Sequence, residues 1–286
     1  MLNSLNLHRL KSFVANLSDR RALILSLILG FVIRLIPELL SYPNPIGFDT
    51  VYYAARVKSG VIWSSWTAIF SMGLLEGILI AANRIVQMDP FLLLKLAVPL
   101  LYALNVCGIY HFSRKALNWS VKTALMTAFF FTFQLASLRL SWDLHRNLLG
   151  SAVLLFTLPL IKRGNSKKDF AILLTLSLLL ALSHILITSV LLAIVLATLI
   201  GNWLKGERLK SLKLLVTVSP ASVVLLISLF VFPHTSFIQG NVIFAKDSVH
   251  QSLGELFFLV NYLGVADPVQ NYPNYPRLAL DVVSLF

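Results

Sequence analysis

The feature that most constrains this chain is a succession of apolar runs, several of which approach the length of a membrane-crossing helix. The 286 residues are 57% hydrophobic and 13% charged, and the mean hydropathy is +0.81. A soluble domain carries about 25% charged residues, whereas about 20 consecutive apolar residues suffice to cross a bilayer. The composition therefore predicts an all-α, polytopic helical membrane protein and argues against a soluble domain.

The basic residues fall in short tracts between the apolar runs. There are 24 Lys and Arg residues against 12 Asp and Glu residues, an excess that would suggest nucleic-acid binding in a soluble protein. In a membrane protein it follows the positive-inside rule and suits a surface of anionic lipid. We therefore expect membrane lipids, and no nucleic acid, as partners. The four tracts are 9–21, 114–122, 162–168 and 205–213.

These tracts also decide how the apolar run at 67–82 is interpreted. If this run crosses the membrane, the first basic tract lies on the opposite side from the other three. If it does not, all four tracts lie together on the cytoplasmic side, as the charge rule favours. The run is also short and contains Glu76 and two glycines. We therefore predict a surface helix at 67–82 and a multi-pass protein with a cytoplasmic N-terminus, in the plasma membrane if the source is prokaryotic.

This interpretation divides the chain into three parts with about seven transmembrane helices. A cytoplasmic lead (1–21) precedes a transmembrane module (22–232), whose first external loop (41–89) carries surface helices. The remainder (233–286) is an external tail or the start of a further helical region, and the chain stops inside a new apolar run, which suggests truncation. The predicted spans are 22–40, 90–112, 121–139, 148–161, 169–183, 186–203 and 213–232.

The first external loop contains the main candidate for catalysis, Asp49. It lies in Gly47-Phe48-Asp49-Thr50-Val51-Tyr52-Tyr53, shortly before Arg56. A carboxylate in such a loop can act as a general base, a metal ligand or a stabiliser of the transition state. An aspartate before a helix is also a common N-cap. The residues leave both interpretations open.

A second acidic turn, Ser141-Trp142-Asp143-Leu144-His145-Arg146-Asn147, is predicted on the same face as Asp49. It combines a carboxylate, an imidazole and a guanidinium at the membrane edge. The simpler alternative is a solvated turn in which Asp143 pairs with Arg139 or Arg146. Two acidic loops that converge from separate spans favour a site.

Two ionisable residues lie near or within the spans. His184 occupies the turn between two short spans, where it either contacts a phosphate or metal or simply caps the turn. Arg34 lies inside the first span, where an isolated charge is costly. It either meets a ligand anion or pairs with Glu38, four residues further on.

Together these features resemble the GT-C superfamily of polytopic glycosyltransferases. This superfamily includes oligosaccharyltransferase catalytic subunits, protein O-mannosyltransferases and lipid A aminoarabinose transferases. The resemblance covers about the first 230 residues and rests on topology and on the two acidic motifs. The chain departs from it at Thr50, where the O-mannosyltransferase branch has a glutamate after the aspartate. It also departs after Asp143, where the oligosaccharyltransferase branch has a second acid two residues on and this chain has His145.

The resemblance implies transfer of a sugar from a polyprenyl-phosphate-linked donor to an unidentified acceptor at the external face. It implies catalytic roles for Asp49 and Asp143. It implies no assured cofactor, and a divalent metal stays an open alternative. The substrate-binding residues that follow from it are Arg34, Tyr53, Arg56, Arg146 and His184.

The other function class is a non-enzymatic polytopic protein, either a transporter or a lipid-binding scaffold. Transporters commonly have repeated halves and ionisable residues at mid-depth. Here the sequence shows no repeat, and its ionisable residues gather at one predicted face. The pattern therefore favours the enzyme.

Overall fold

The structure, a computed structural model, describes residues 17–60, 73–163 and 166–230, and in these ranges all regular structure is helical. The predicted tail at 233–286 and most of the lead at 1–21 lie outside the described residues. The ten described helices are α1 (Asp19–Leu40), α2 (Phe48–Ser59), α3 (Leu74–Val86), α4 (Pro90–Lys115), α5 (Val121–Phe133), α6 (Leu135–Asp143), α7 (His145–Arg163), α8 (Lys167–Ser183), α9 (Ile185–Leu204) and α10 (Arg208–Phe230).

Four described helices are long and apolar enough to cross a membrane: α1, α4, α9 and most of α10. The pair α5 and α6 forms a fifth if the two are one bent span. This confirms a helical architecture of the membrane type. The predicted spans at 148–161 and 169–183 fall within α7 and α8, which do not meet the same length and apolarity requirements in the described chain. The expected number of seven spans stays a prediction.

The basic tracts meet at one end of the helical bundle, which we call the basic end. Arg114 Nε and Lys115 Nζ, at the end of α4, donate to the Asp19 carboxylate at the start of α1, at 2.7 and 3.3 Å. Lys162, near the end of α7, donates to the carbonyl of Ala116. Phe170 in α8 and the turn between α9 and α10 line one cavity. The described residues of all four tracts therefore contribute to the basic end, and the last residues of α1 and the first residues of α4 lie at the opposite end.

Between α1 and α4 the described residues form two short helices, α2 and α3. Helix α3 has 13 residues, a length of about 20 Å, whereas the apolar core of a bilayer is about 30 Å thick. The helix predicted at 67–82 is observed at Leu74–Val86, and residues 61–72 lie outside the described ranges. Asp89 is the N-cap of helix α4, and its side chain accepts hydrogen bonds from the backbone N–H groups of Phe91 and Leu92.

The predicted single span at 121–139 is interrupted at Gln134, where α5 and α6 meet at 60°. The interruption frees backbone carbonyls that need new donors. The Tyr102 hydroxyl donates to the carbonyl of Thr132 at 2.9 Å, and the Ser137 hydroxyl donates to that of Phe131 at 2.7 Å. These contacts stabilise the bend, beyond which α6 leads to the turn that contains Asp143.

Helix α7 joins the two main apolar clusters of the described chain. The first cluster includes Tyr53 from α2, Leu75 from α3 and Leu148 from α7. The second includes Leu173 from α8, and Val153 of α7 packs against both. The beginning of α7, which carries His145 and Arg146, is thus held between α2 and α3 and the later helix α8.

Candidate functional site

The loop before α2 packs directly on the turn between α6 and α7. Gly47, the N-cap of α2, has φ +82°, a conformation that favours glycine. A Cβ atom at this position would lie 1.8 Å from the carbonyl oxygen of Trp142 and 2.9 Å from Oδ1 of Asp143. Only a residue without a side chain allows this approach. The fold therefore brings the two predicted acidic segments together, at what we call the site end of the bundle.

Asp49 lies in the first turn of α2 and does not cap the helix. The cap is Gly47, and no side chain makes a capping hydrogen bond there. The N-cap alternative is therefore wrong. Burial, and then the negative charge of Asp143, raise the pKa of Asp49 to about 6, while the positive charge of Arg146 opposes the rise. Asp49 is therefore a stronger base than an ordinary aspartate and is still ionised at neutral pH.

Arg146 is paired with a carboxylate that the sequence did not indicate as part of the site. Its Nη2 forms an ion pair with Oε1 of Glu76, a fully buried residue of α3. Within the described chain, neither Oε2 of Glu76 nor Nε of Arg146 has a hydrogen-bond partner. Buried polar atoms normally find partners, so these two atoms are suited to contact a ligand. The isolated acid in the apolar segment around Glu76 was a usable signal.

A buried imidazole, His145, and a half-buried one, His184, lie beside this ion pair. The His145 ring is 1% exposed and meets the ring of Tyr53 edge-on, with 5.0 Å between centroids. His184 is a single extended residue between α8 and α9, and its side chain caps neither helix. Among the described residues, both nitrogens of His145 and Nδ1 of His184 lack hydrogen-bond partners. Burial, and then the positive charge of Arg146, lower the pKa of His184 to about 4. Its ring is therefore neutral at physiological pH.

Arg34 is engaged in a separate buried network. Its Nη1 lies 2.8 Å from Oε1 of Glu38, which confirms the predicted pairing of the two residues. Its Nε also donates to the Ser141 hydroxyl at 2.7 Å. Lys95 of α4, which the sequence did not indicate, shares the Glu38 carboxylate at 3.2 Å. Arg34 thus supports the turn that contains Asp143, and contact with a donor phosphate stays a prediction.

The two remaining predicted binding residues both lie on α2. Tyr53 is buried against His145 and lies one turn from Asp49. The guanidinium carbon of Arg56 lies 5.7 Å from the ring centroid of Tyr52. The structure therefore places Tyr53 inside the cluster and Arg56 one turn further along the same helix. A role for either residue in substrate binding stays a prediction.

The site end therefore combines a base of raised pKa, an arginine whose charge reaches both Asp49 and His184, and a neutral imidazole. Such a set can remove a proton from a hydroxyl and stabilise a departing anion. Among the described residues, no three His, Cys, Asp or Glu side chains are arranged to hold a metal ion. Comparison of the chain with protein-family models, curated proteins and solved structures gave no match.

Proposed function

We propose that the protein is a GT-C-like membrane glycosyltransferase that moves a sugar from a polyprenyl-phosphate-linked donor to an acceptor. The observation that supports this most is the contact of the Asp49 loop with the Asp143 turn, beside Arg146. In this proposal about seven spans cross the membrane, the N-terminus is cytoplasmic and the site end faces outward. The donor's isoprenoid chain then lies in the bilayer, with its phosphate at the level of the site.

In the proposed reaction, Asp49 accepts the proton of an acceptor hydroxyl while the acceptor oxygen bonds to the sugar's anomeric carbon. The bond from that carbon to the donor phosphate oxygen breaks, and the phosphate leaves with the electron pair. Arg146 offers a charge-assisted hydrogen bond to the departing phosphate, and the neutral ring of His184 offers a further donor. Burial, and then the negative charge of Asp143, keep the pKa of Asp49 high enough for proton removal near neutral pH.

Two buried contacts hold these groups in place. The ion pair with Glu76 fixes the guanidinium of Arg146 and leaves its Nε available. The hydrogen bonds from Arg34 to the hydroxyl and carbonyl oxygens of Ser141 fix the turn that ends in Asp143. We therefore assign Glu76 and Arg34 as positioning residues. Groups that act in a transition state gain most when their geometry is preset.

The alternative function, a transporter or a lipid-binding scaffold, is favoured by one observation. The buried network of Arg34, Glu38 and Lys95 resembles the intramembrane charges of transport proteins. However, Glu38 lies in the last turn of α1 and Lys95 in the second turn of α4. The network therefore lies near the site end, whereas transporter sites lie at mid-depth. This position favours the enzyme.

The test uses purified protein in lipid nanodiscs with a panel of polyprenyl-phosphate monosaccharides that carry a radiolabelled sugar. Passage of label from the lipid phase to water or to added acceptors measures turnover. Asp49→Asn should lower turnover at least about a hundredfold, because general-base groups contribute about that much or more. Asp143→Asn should also lower it.

Asp89→Asn is the matched control. Asp89 is an exposed carboxylate that caps α4, and asparagine caps a helix equally well. This variant should retain turnover. Failure of the wild-type protein to turn over any donor, or full turnover by the Asp49 variant, would overturn the proposal. Movement of intact donor across sealed vesicles without sugar transfer would favour the transporter.

A further inference from the structure

A cavity of about 340 Å³ lies at the basic end, away from the proposed reaction site. Its walls come from the first turn of α8, through Phe170, and from the turn between α9 and α10 with the start of α10. Gly206 in that turn has φ +79°, and a Cβ added to it would have no heavy atom within 4 Å. The space beside Gly206 is therefore open.

The lining of this cavity is basic. Arg208, Lys210 and Lys213 face a single acid, Glu207. Glu207 Oε2 lies 3.4 Å from Lys210 Nζ, which balances one of the three positive charges. Within the described chain no carboxylate is paired with Lys213, and Arg208 stacks over the ring of Trp203 at 5.2 Å. Two positive charges are therefore in excess.

Exposed apolar side chains border these charges. Trp203 at the end of α9 is 61% exposed, and Leu209 at the start of α10 is 66% exposed. Both helices meet the length and apolarity requirements of a membrane span, so their ends at this turn lie where hydrocarbon gives way to headgroups. Tryptophan and arginine are typical of that boundary. A phospholipid has both parts that this surface can accommodate, an anionic phosphate and an acyl chain.

We propose that this cavity binds the headgroup of an anionic phospholipid from the leaflet that the basic end faces. The phosphate contacts Lys213 and Arg208, and an acyl chain lies along Trp203 and Leu209. The site is independent of sugar transfer and has a different ligand. Lipid binding at this site holds the turn between α9 and α10 at the membrane surface through charge as well as through apolar contact.

The experiment measures quenching of Trp203 fluorescence in nanodiscs that contain brominated phosphatidylglycerol or brominated phosphatidylcholine. Bromine quenches only nearby tryptophans, and the difference between wild-type protein and Trp203→Phe isolates the Trp203 signal. We expect phosphatidylglycerol to quench Trp203 at a lower mole fraction than phosphatidylcholine does. The doubly substituted variant Lys210→Gln/Lys213→Gln should remove this preference and leave Arg208 on Trp203. The preference for phosphatidylglycerol should fall by up to about fivefold per removed charge, as expected for charges near an anionic surface.

The control is Arg20→Gln/Lys122→Gln, which removes two exposed charges from the basic end but not from the cavity. It should retain the wild-type lipid preference at Trp203. An equal loss of this lipid preference in both double variants would mean that anionic lipid is attracted to the whole basic end and not to the cavity. That result would overturn the proposal. Equal quenching by the two lipids in the wild-type protein would also overturn it. So would displacement of the brominated lipid by water-soluble glycerol phosphate at comparable concentration, because that result assigns the cavity to a soluble anion.

Discussion

Replacement of Asp49 by asparagine should stabilise the protein at neutral pH. The pKa of Asp49 is raised from 3.8 to about 6 in the folded state by burial and then by Asp143. As the pH rises, the unfolded chain loses this proton first. The stability that Asp49 contributes is thus fully present below about pH 4 and is lost as the pH passes about 6. Asparagine does not titrate in this range, so the variant does not lose this stability as the pH rises.

The magnitude follows from the change in pKa. At about 1.4 kcal/mol per pKa unit, the rise corresponds to at most about 3 kcal/mol of unfolding free energy. Asp49 is only partly buried, so solvent screening reduces this to about 1–2 kcal/mol. Asparagine also loses the attraction of a carboxylate to the helix N-terminus, about 0.3–1 kcal/mol. A net gain of about 1 kcal/mol remains, which corresponds to about 3 °C in unfolding temperature.

Thermal unfolding in detergent, followed by circular dichroism between pH 4 and pH 8, measures this effect. The curves of wild-type protein and Asp49→Asn should coincide near pH 4 and separate above pH 7, with the variant more stable. The same separation at both pH values would refute the reasoning, because titration of Asp49 would then not be its cause. A less stable variant at pH 7.5 would refute it as well, since the buried charge would then not be unfavourable.

Three further substitutions test the contacts that build the site. Gly47→Ala should lower the unfolding free energy by more than about 2 kcal/mol, because the added methyl group would overlap the carbonyl oxygen of Trp142 and because φ is positive at this position. Gly201→Ala is the comparison: a methyl group there meets open space, so this variant should raise the unfolding free energy by about 0.5–1 kcal/mol. Tyr102→Phe should cost about 1–3 kcal/mol and speed amide hydrogen exchange at the bend between α5 and α6. Glu76→Gln should lower the unfolding free energy by about 3 kcal/mol, and with it the unfolding temperature, because it leaves Arg146 unpaired. Adding Arg146→Gln to this variant should restore part of the lost unfolding temperature.

Hydrophobicity and charge are local properties of a sequence, and the features that depend on them were predicted well. The apolar runs indicated the helices, and the basic tracts indicated which helix ends lie together. The break at Gln134 was not predictable in this way, because the segment contains neither proline nor glycine there. It depends on the hydroxyls of Tyr102 and Ser137, and Tyr102 lies on a different helix.

The same distinction, between local properties and contacts that depend on distant residues, explains which parts of the candidate site were predicted. The topology placed Asp49 near Asp143, and the approach of Gly47 to the Asp143 turn agrees with it. The roles of Glu76 and Lys95 escaped prediction because each depends on a partner far away in the chain. An isolated acid or lysine within an apolar segment indicates only that some partner exists. The choice of partner is made by the packing of helices.

The two buried ion-pair systems have one property in common that bears on function. Buried ion pairs contribute little to stability, because desolvation offsets much of their attraction. Yet the Arg34 network continues to Ser141, two residues before Asp143, and the Glu76 pair contains Arg146 itself. Each system thus ends at a group assigned to the reaction. If stability alone had shaped these positions, apolar side chains would serve as well. Their location at the site end is better explained by the need to fix the Asp143 turn and Arg146 relative to Asp49.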